Sequence, residues 1–200
     1  MSEWWQLFTL GFVPLFIAVD AVSLPPFIVA LSEGMTVPER RKMVHIAILT
    51  ALVVGLVFLF LGQAVLTLMG ITVGAFAIAG GIILLVQSIR NMTYGRMVDA
   101  AKEEMVAIVP IGTPLLAGPA TITTLLLLTS QIPLAVVLEA FIVNVIIAWV
   151  ICLGSYRVLK VLGQGGVRAV SRVFSLLLAS IAVSMILKGL AMSGIVSTAP

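Results

Sequence analysis

The chain has 200 residues, of which 62% are hydrophobic and 10% are charged, and its formal net charge is +3. Soluble domains average about half apolar and about a quarter charged residues, so too few polar side chains remain here to cover a water-facing surface. The long apolar runs also lack the alternation of a transmembrane β-barrel. One cysteine (Cys152) and one histidine (His45) exclude an intrachain disulfide and most zinc sites. The composition therefore predicts a helical integral membrane protein.

Apolar runs along the chain predict six membrane spans within one membrane domain, residues 1–200. A spanning helix needs roughly 20 apolar residues. The runs that satisfy this length are about 4–31, 46–69, 72–90, 105–129, 133–156 and 172–192. The linkers around Gly70 and Gln131 are very short. We therefore expect tight antiparallel hairpins between spans two and three and between spans four and five.

Basic residues predict the orientation of these spans. Ten of the eleven lie in or beside the linkers after spans one, three and five, and only Lys188 lies toward the other side. The ten are Arg40, Arg41, Lys42, Arg90, Arg96, Lys102, Arg157, Lys160, Arg168 and Arg172. Cytoplasmic loops carry an excess of lysine and arginine. We therefore predict cytoplasmic loops at 32–45, 91–104 and 157–171, both termini outside, and contact with the lipid bilayer rather than with nucleic acid.

The two halves of the chain, 1–95 and 96–200, are predicted to be three-helix repeats of opposite orientation. Segment 20–26 aligns with segment 113–119 at an offset of 93 residues, and this places Pro26 over Pro119. Both segments open their half, where inverted-repeat transporters carry interrupted helices. The predicted fold is therefore all-α and polytopic, a 3+3 inverted-topology repeat with helices one and four interrupted.

Prolines predict the positions of the two interruptions. Pro25 and Pro26 are adjacent in span one, whereas span four carries Pro110, Pro114 and Pro119. Proline lacks a backbone donor and clashes with the preceding turn. The freed backbone groups cannot face lipid, so they are buried in protein or line a wet cavity. Two such breaks favour a substrate site between spans one and four, and simple kinks are the alternative.

Asp20 is the acidic residue predicted deepest in a span, just before the first proline pair. An ionised side chain at the bilayer centre costs about 2.5–3.5 kcal/mol on insertion scales. Such residues persist mainly where they face a cavity, form a pair or relay protons. The alternative is that Asp20 caps the free amides of the half-helix that follows the break.

The candidate substrate-binding residues flank the breaks or lie near the predicted membrane centre. They are Asp20, Ser23, Pro26, Gly80, Gly81, Thr113, Pro114, Gly118, Pro119, Thr121 and Asn144. Helix packing is the alternative for Gly80 and Gly81, and an interhelical hydrogen bond is the alternative for Asn144. The small-residue faces of spans three and six could serve internal packing or a homo-oligomer. Enzyme motifs such as G-x-S-x-G and H-E-x-x-H are absent, so we predict neither an enzyme nor a bound cofactor.

Four segments resemble signatures of the MarC family of six-span membrane proteins. They are residues 108–119, 76–85, 162–172 and the Glu39–Arg41 loop. The resemblance implies an inner- or plasma-membrane protein of a prokaryote, within a superfamily of amino-acid exporters. Members of the family are described as transporters of small neutral amino acids. In the first half, Ala21, Ser23 and Leu24 replace the Pro, Gly and Asn of the family pattern.

The leading hypothesis is a secondary transporter of small neutral amino acids, with export as one direction it could take. Half-helix amino ends would attract the substrate carboxylate, and freed carbonyls, hydroxyls and Asp20 would hold its ammonium group. The chain contains no ATPase motif, so an H+ gradient, an Na+ gradient or the substrate's own gradient would drive the flux. The alternatives are a channel-like facilitator for small solutes and a non-transporting membrane protein of the same family.

Overall fold

The computed structural model describes residues 3–32, 34–94 and 118–194, and this part of the chain folds into helices and turns with no strand. Its seven α-helices are α1 (Glu3–Val19), α2 (Pro25–Leu31), α3 (Val37–Leu68), α4 (Val73–Tyr94), α5 (Pro119–Thr129), α6 (Leu134–Leu153) and α7 (Ser155–Met192). The all-helical prediction is confirmed.

Five apolar segments of these ranges are long enough to cross a membrane. They are Glu3–Ser23, Val37–Leu68, Val73–Thr93, Leu134–Leu153 and Gly165–Met192. These segments correspond to predicted spans one, two, three, five and six. The 11-residue α5 forms the end of predicted span four, and residues 105–117 of that span lie outside the described residues. A multi-pass helical membrane protein is therefore confirmed.

The first predicted cytoplasmic loop, residues 32–45, is wrong in its second half because α3 already begins at Val37. The start of α3 is a capping box, in which the Thr36 backbone N–H donates to Glu39 Oε2 at 2.7 Å. This arrangement satisfies amides that a helix start otherwise leaves without partners. The charged residues 39–42 shorten the apolar stretch, but the helix continues through them.

The third predicted loop, residues 157–171, is also helical and forms the first part of α7. The helix bends sharply at Gly163, which has φ 65° and ψ 170°. This conformation is open to glycine and strained for other residues. In place of the predicted loop, the structure has two helical segments joined by a kink at Gly163.

The chain reverses tightly between α3 and α4, at Gly70 with φ 68°, but within the described ranges the two helices do not pack along each other. Instead, α3 packs against α5 and α6, and α4 packs against α7 and α5. A Cβ atom at Gly55 would lie 2.1 Å from the Phe141 ring, and one at Gly62 would lie 2.0 Å from Leu126. These close glycine contacts hold α3 against other partners, so the predicted packed hairpin is wrong for this pair.

The most extensive helix contact in the described structure joins α4 and α7 in antiparallel orientation. Small residues recur every seven positions on both helices and face one another. The facing pairs are Gly74 with Gly189, Gly81 with Ala182, and Ser88 with Ser175. A Cβ atom at Gly189 would lie only 2.6 Å from the Gly74 carbonyl oxygen. Small residues at such positions let helix backbones approach closely, and on α4 and α7 they form a contact within the chain.

The starts of α3 and α7 meet at one end of the helix bundle. The guanidinium carbon of Arg40 lies 4.2 Å from the ring centroid of Tyr156, a geometry typical of a cation–π interaction. At the other end, Lys188 Nζ donates to Gln131 Oε1 at 3.2 Å. The linkers after spans one and five were predicted to lie on the same side of the membrane, and the structure places them at the same end of the bundle. Lys188 lies at the opposite end.

We expect Gly189→Ala to lower the free energy of unfolding by about 1–3 kcal/mol, because the new methyl group must push α7 away from the α4 backbone. Gly165→Ala is the matched control, since it lies on the same helix and no neighbouring atom lies within 4 Å of its Cβ position. The control should be unchanged or slightly stabilised, because alanine favours helices more than glycine does. Thermal unfolding of the purified proteins in one detergent measures both effects. Equal unfolding temperatures for the two variants would contradict the backbone contact.

Candidate functional site

The first span is interrupted at Asp20. Helix α1 ends at Val19, a short 3-10 turn covers Ala21–Ser23, and α2 begins at Pro25. Asp20 has φ 46° and ψ 47°, and it is the only non-glycine residue with positive φ in the described ranges. A strained conformation of this kind costs of order 1–3 kcal/mol and persists where the surrounding structure enforces it. The predicted interruption of helix one is therefore present.

The break lies before the prolines instead of at them. We expected Pro25 and Pro26 to end the first half-helix, but they are the first two residues of α2. Proline suits the first helical turn because its missing N–H would have no helical partner there and its fixed φ is already helical. The prolines therefore start the second helix of the span, and the left-handed Asp20 ends the first.

The Asp20 side chain is 3% exposed, and Ser23, three residues later, links the break to α7. The Ser23 hydroxyl lies 2.5 Å from Asp20 Oδ1 and 3.0 Å from Ser171 Oγ on α7. The Ser23 hydroxyl thus satisfies one acceptor site of the buried Asp20 side chain. The Asp20 side chain makes no capping bond to the 3-10 turn, so it does not cap that part of the break.

Buried polar groups continue from this junction toward α4. Ser175 Oγ donates to the Ser171 carbonyl at 2.9 Å, and the Ser88 hydroxyl donates to the Ser175 carbonyl. Asn91 is 8% exposed, and its Nδ2 has no hydrogen-bond partner in the part of the chain that the structure describes. A polar layer therefore crosses the bundle from α1 through α7 to α4.

The described part of span four begins at the predicted second break. Gly118 has extended backbone (φ −70°, ψ 174°), and Pro119 is the first residue of α5. Thr121 and Thr123 follow on the first turns of α5 and are buried. The candidate residues Thr113 and Pro114 lie outside the described residues.

The other candidate residues lie at contacts between helices. A Cβ atom at Gly80 would lie 2.7 Å from Thr123 Cγ2, and Gly81 lies against α7. Asn144 on α6 donates to the Phe12 carbonyl of α1 at 3.3 Å and to its own helix, and its Oδ1 has no partner among the described residues. Thus Asp20 and Ser23 lie together with Pro26 nearby in sequence on α2, whereas Gly80, Gly81 and Asn144 occupy separate helix interfaces.

A cavity of about 350 Å³ lies between α1, α5 and α7, and none of the predicted substrate-binding residues lines it. Its polar lining comes from Thr124, Gln131, Ser184 and Lys188, and the rest is apolar. Sequence signals existed in the threonines after the second break and in a lysine apart from the other cations. They could not be combined, because the lining residues are far apart in the chain. In the described part of the chain, no three His, Cys, Asp or Glu side chains cluster to hold a metal ion.

Residues 5–193 match the family model described as "MarC family integral membrane protein". It is 31% identical to the UPF0056 membrane protein MJ1677 of Methanocaldococcus jannaschii, with 92% of this chain and 96% of that protein covered. It is 35% identical to the UPF0056 inner membrane protein YhgN of Escherichia coli strain K12, with 85% and 88% covered. No solved structure matches the chain significantly. Because the match extends over nearly the whole sequence, the chain belongs to the MarC family of integral membrane proteins.

Proposed function

We propose that this protein is a secondary transporter of small neutral amino acids in the cytoplasmic membrane of a prokaryote. The observation that carries the proposal is the interruption at Asp20, a strained backbone break with a buried carboxylate inside an apolar span. Non-helical backbone at membrane depth is tolerated only where it is buried in protein or lines a water-filled path. Secondary transporters bind substrates at interrupted helices of this kind.

The chemistry at the two breaks suits an amino acid. The amino end of α5 follows Gly118 and carries a partial positive charge that attracts a carboxylate. The buried Asp20 carboxylate and the Ser23 hydroxyl suit the ammonium group of the same substrate. The small side chains near the breaks favour a small substrate, and an H+ or Na+ gradient would supply the driving force.

The packing of the helices supports a six-span, 3+3 inverted repeat as part of this proposal. Exchange of spans one and four, two and five, and three and six maps the more extensive packed pairs onto one another, whereas the smaller contacts of α6 with α5 and α7 have no counterpart of similar extent. The contact of α1 with α6 becomes that of α3 with α5, and the contact of α4 with α5 becomes that of α7 with span one. The pairs α4–α7, α3–α6 and α1–α5 map onto themselves. A two-fold axis between the halves would produce this pattern.

The proposed orientation has both termini outside and the basic end of the bundle in the cytoplasm. Met35 and Met69 test it, because both are exposed in turns at opposite ends of α3. In a Cys152→Ser background, we expect Met69→Cys to react with a membrane-impermeant maleimide in intact cells. Met35→Cys should react only after the membrane is opened. The reverse labelling pattern would overturn the orientation.

Counterflow of labelled alanine, glycine and serine in proteoliposomes tests the transport function. We expect saturable exchange by the wild type, and a decrease of about tenfold or more in Asp20→Asn, because the amide removes a charge that holds the ammonium group. Glu139→Gln is the matched control, since Glu139 is an exposed acid on α6 and should exchange normally. Dependence on imposed pH and sodium gradients identifies the coupling ion.

Each result of this experiment separates two hypotheses. Exchange that persists in Asp20→Asn would keep the transporter and remove Asp20 from its site. A flux without saturation or counterflow would favour a channel-like facilitator. A folded wild type that exchanges none of the three amino acids would refute the amino-acid assignment.

A further inference from the structure

The cavity between α1, α5 and α7 has an exposed mouth and a closed floor. Gln131, Ser184 and Lys188 line the mouth and are exposed. Thr124 and Met185 line the floor, and each is 2% exposed. The cavity lies at the end of the bundle opposite to Arg40 and Tyr156, which is the outer end in the proposed orientation.

The mouth of the cavity carries a positive charge. Lys188 Nζ donates to Gln131 Oε1 at 3.2 Å, so a side chain of α7 is linked to the turn between α5 and α6 across the opening. Gln131 is a neutral acceptor, and it uses one of the three donors of the ammonium group. Lys188 therefore keeps both its charge and its donor capacity for an anionic ligand.

The interior of the cavity offers polar groups at a distance from this charge. Thr124 Oγ1 has no hydrogen-bond partner in the part of the chain that the structure describes, although the residue is almost completely buried. A buried hydroxyl without a partner costs free energy that a polar ligand group would recover. On the α1 wall, Pro14 has no N–H to donate to the carbonyl of Leu10, one turn earlier, and both residues line the cavity.

We propose that this cavity is a second binding site, an outer vestibule that takes small carboxylate-bearing solutes. Lys188 binds the carboxylate. Thr124 Oγ1 and the Leu10 carbonyl accept hydrogen bonds from an ammonium or hydroxyl group of the same molecule. The volume of about 350 Å³ is at the small end of ligand pockets, which run from roughly 300 to 1,000 Å³. This inference rests on the proposed function, because it identifies where the substrate is first selected on that side of the membrane.

Ligand-induced thermal stabilisation of the purified protein tests the vestibule without any transport step, because a ligand that binds the folded state raises the unfolding temperature. The probes are alanine, propionate, which keeps only the carboxylate, and ethylamine, which keeps only the amine. We expect alanine and propionate to stabilise the wild type and ethylamine to have no effect. Lys188→Gln should need about tenfold more of either carboxylate for the same shift, and Lys188→Arg should stay within about threefold of the wild type.

Two further variants separate a ligand contact from a general loss of stability. Lys160→Gln is the matched control, because Lys160 is an exposed lysine on α7 that does not line the cavity, and it should bind like the wild type. Thr124→Val keeps the shape of the side chain and removes its hydroxyl. We expect this change to weaken alanine binding more than propionate binding, since propionate lacks the group that contacts Thr124.

The vestibule and the transport function can fail separately. If Lys188→Gln binds alanine and propionate as the wild type does, the vestibule is refuted, whatever the counterflow result. If Lys188→Gln loses this binding while the wild type exchanges no amino acid, the vestibule stands and the transport proposal fails. If phosphatidylglycerol copurifies with the wild type but not with Lys188→Gln and prevents propionate binding, the site holds a lipid headgroup and the inference is overturned.

Discussion

In a lipid bilayer, backbone polar groups have no water to bind, and this constraint governs the structure around Asp20. A helix that continued without interruption through residue 20 would satisfy the backbone groups around that position within itself. Instead, the chain leaves the helix at a buried aspartate in a left-handed conformation and restarts it at Pro25. The break is tolerable because the Ser23 N–H donates to the Asp20 carbonyl, the Leu24 N–H donates to the Ala21 carbonyl, and α7 packs against the turn. The packing of α7 against both α1 and α4 thereby supports a feature that lipid alone would not permit.

The positions of the spans and the existence of the first break could be predicted from the sequence, because both depend on local chemistry. Apolar length marks a span, and an aspartate beside two prolines marks an interruption. The exact point of the break could not be predicted. It depends on the strained backbone of Asp20, whose side chain is buried and accepts a hydrogen bond from Ser23, and Ser23 in turn contacts Ser171, a residue far away in the sequence.

Helix partners and cavities were the other features beyond the reach of sequence analysis. The short turn at Gly70 suggested that α3 and α4 pack together, but the close approach of Gly55 to Phe141 holds α3 against α6. The cavity between α1, α5 and α7 likewise forms where Pro14, Thr124 and Lys188 meet. No periodicity or spacing within one helix indicates such a meeting point. The small-residue face of α4 was recognisable, because it repeats within a single helix.

That face limits how the two halves of the molecule can move. Gly74 and Gly81 meet Gly189 and Ala182 in register, so sliding α4 along α7 would force larger side chains against backbone until a full seven-residue step, roughly 10 Å, had been made. The Ser88 hydroxyl also bonds to the Ser175 carbonyl across the same line of contact. The α4–α7 contact therefore resists sliding and keeps one helix of each half of the chain in register with the other.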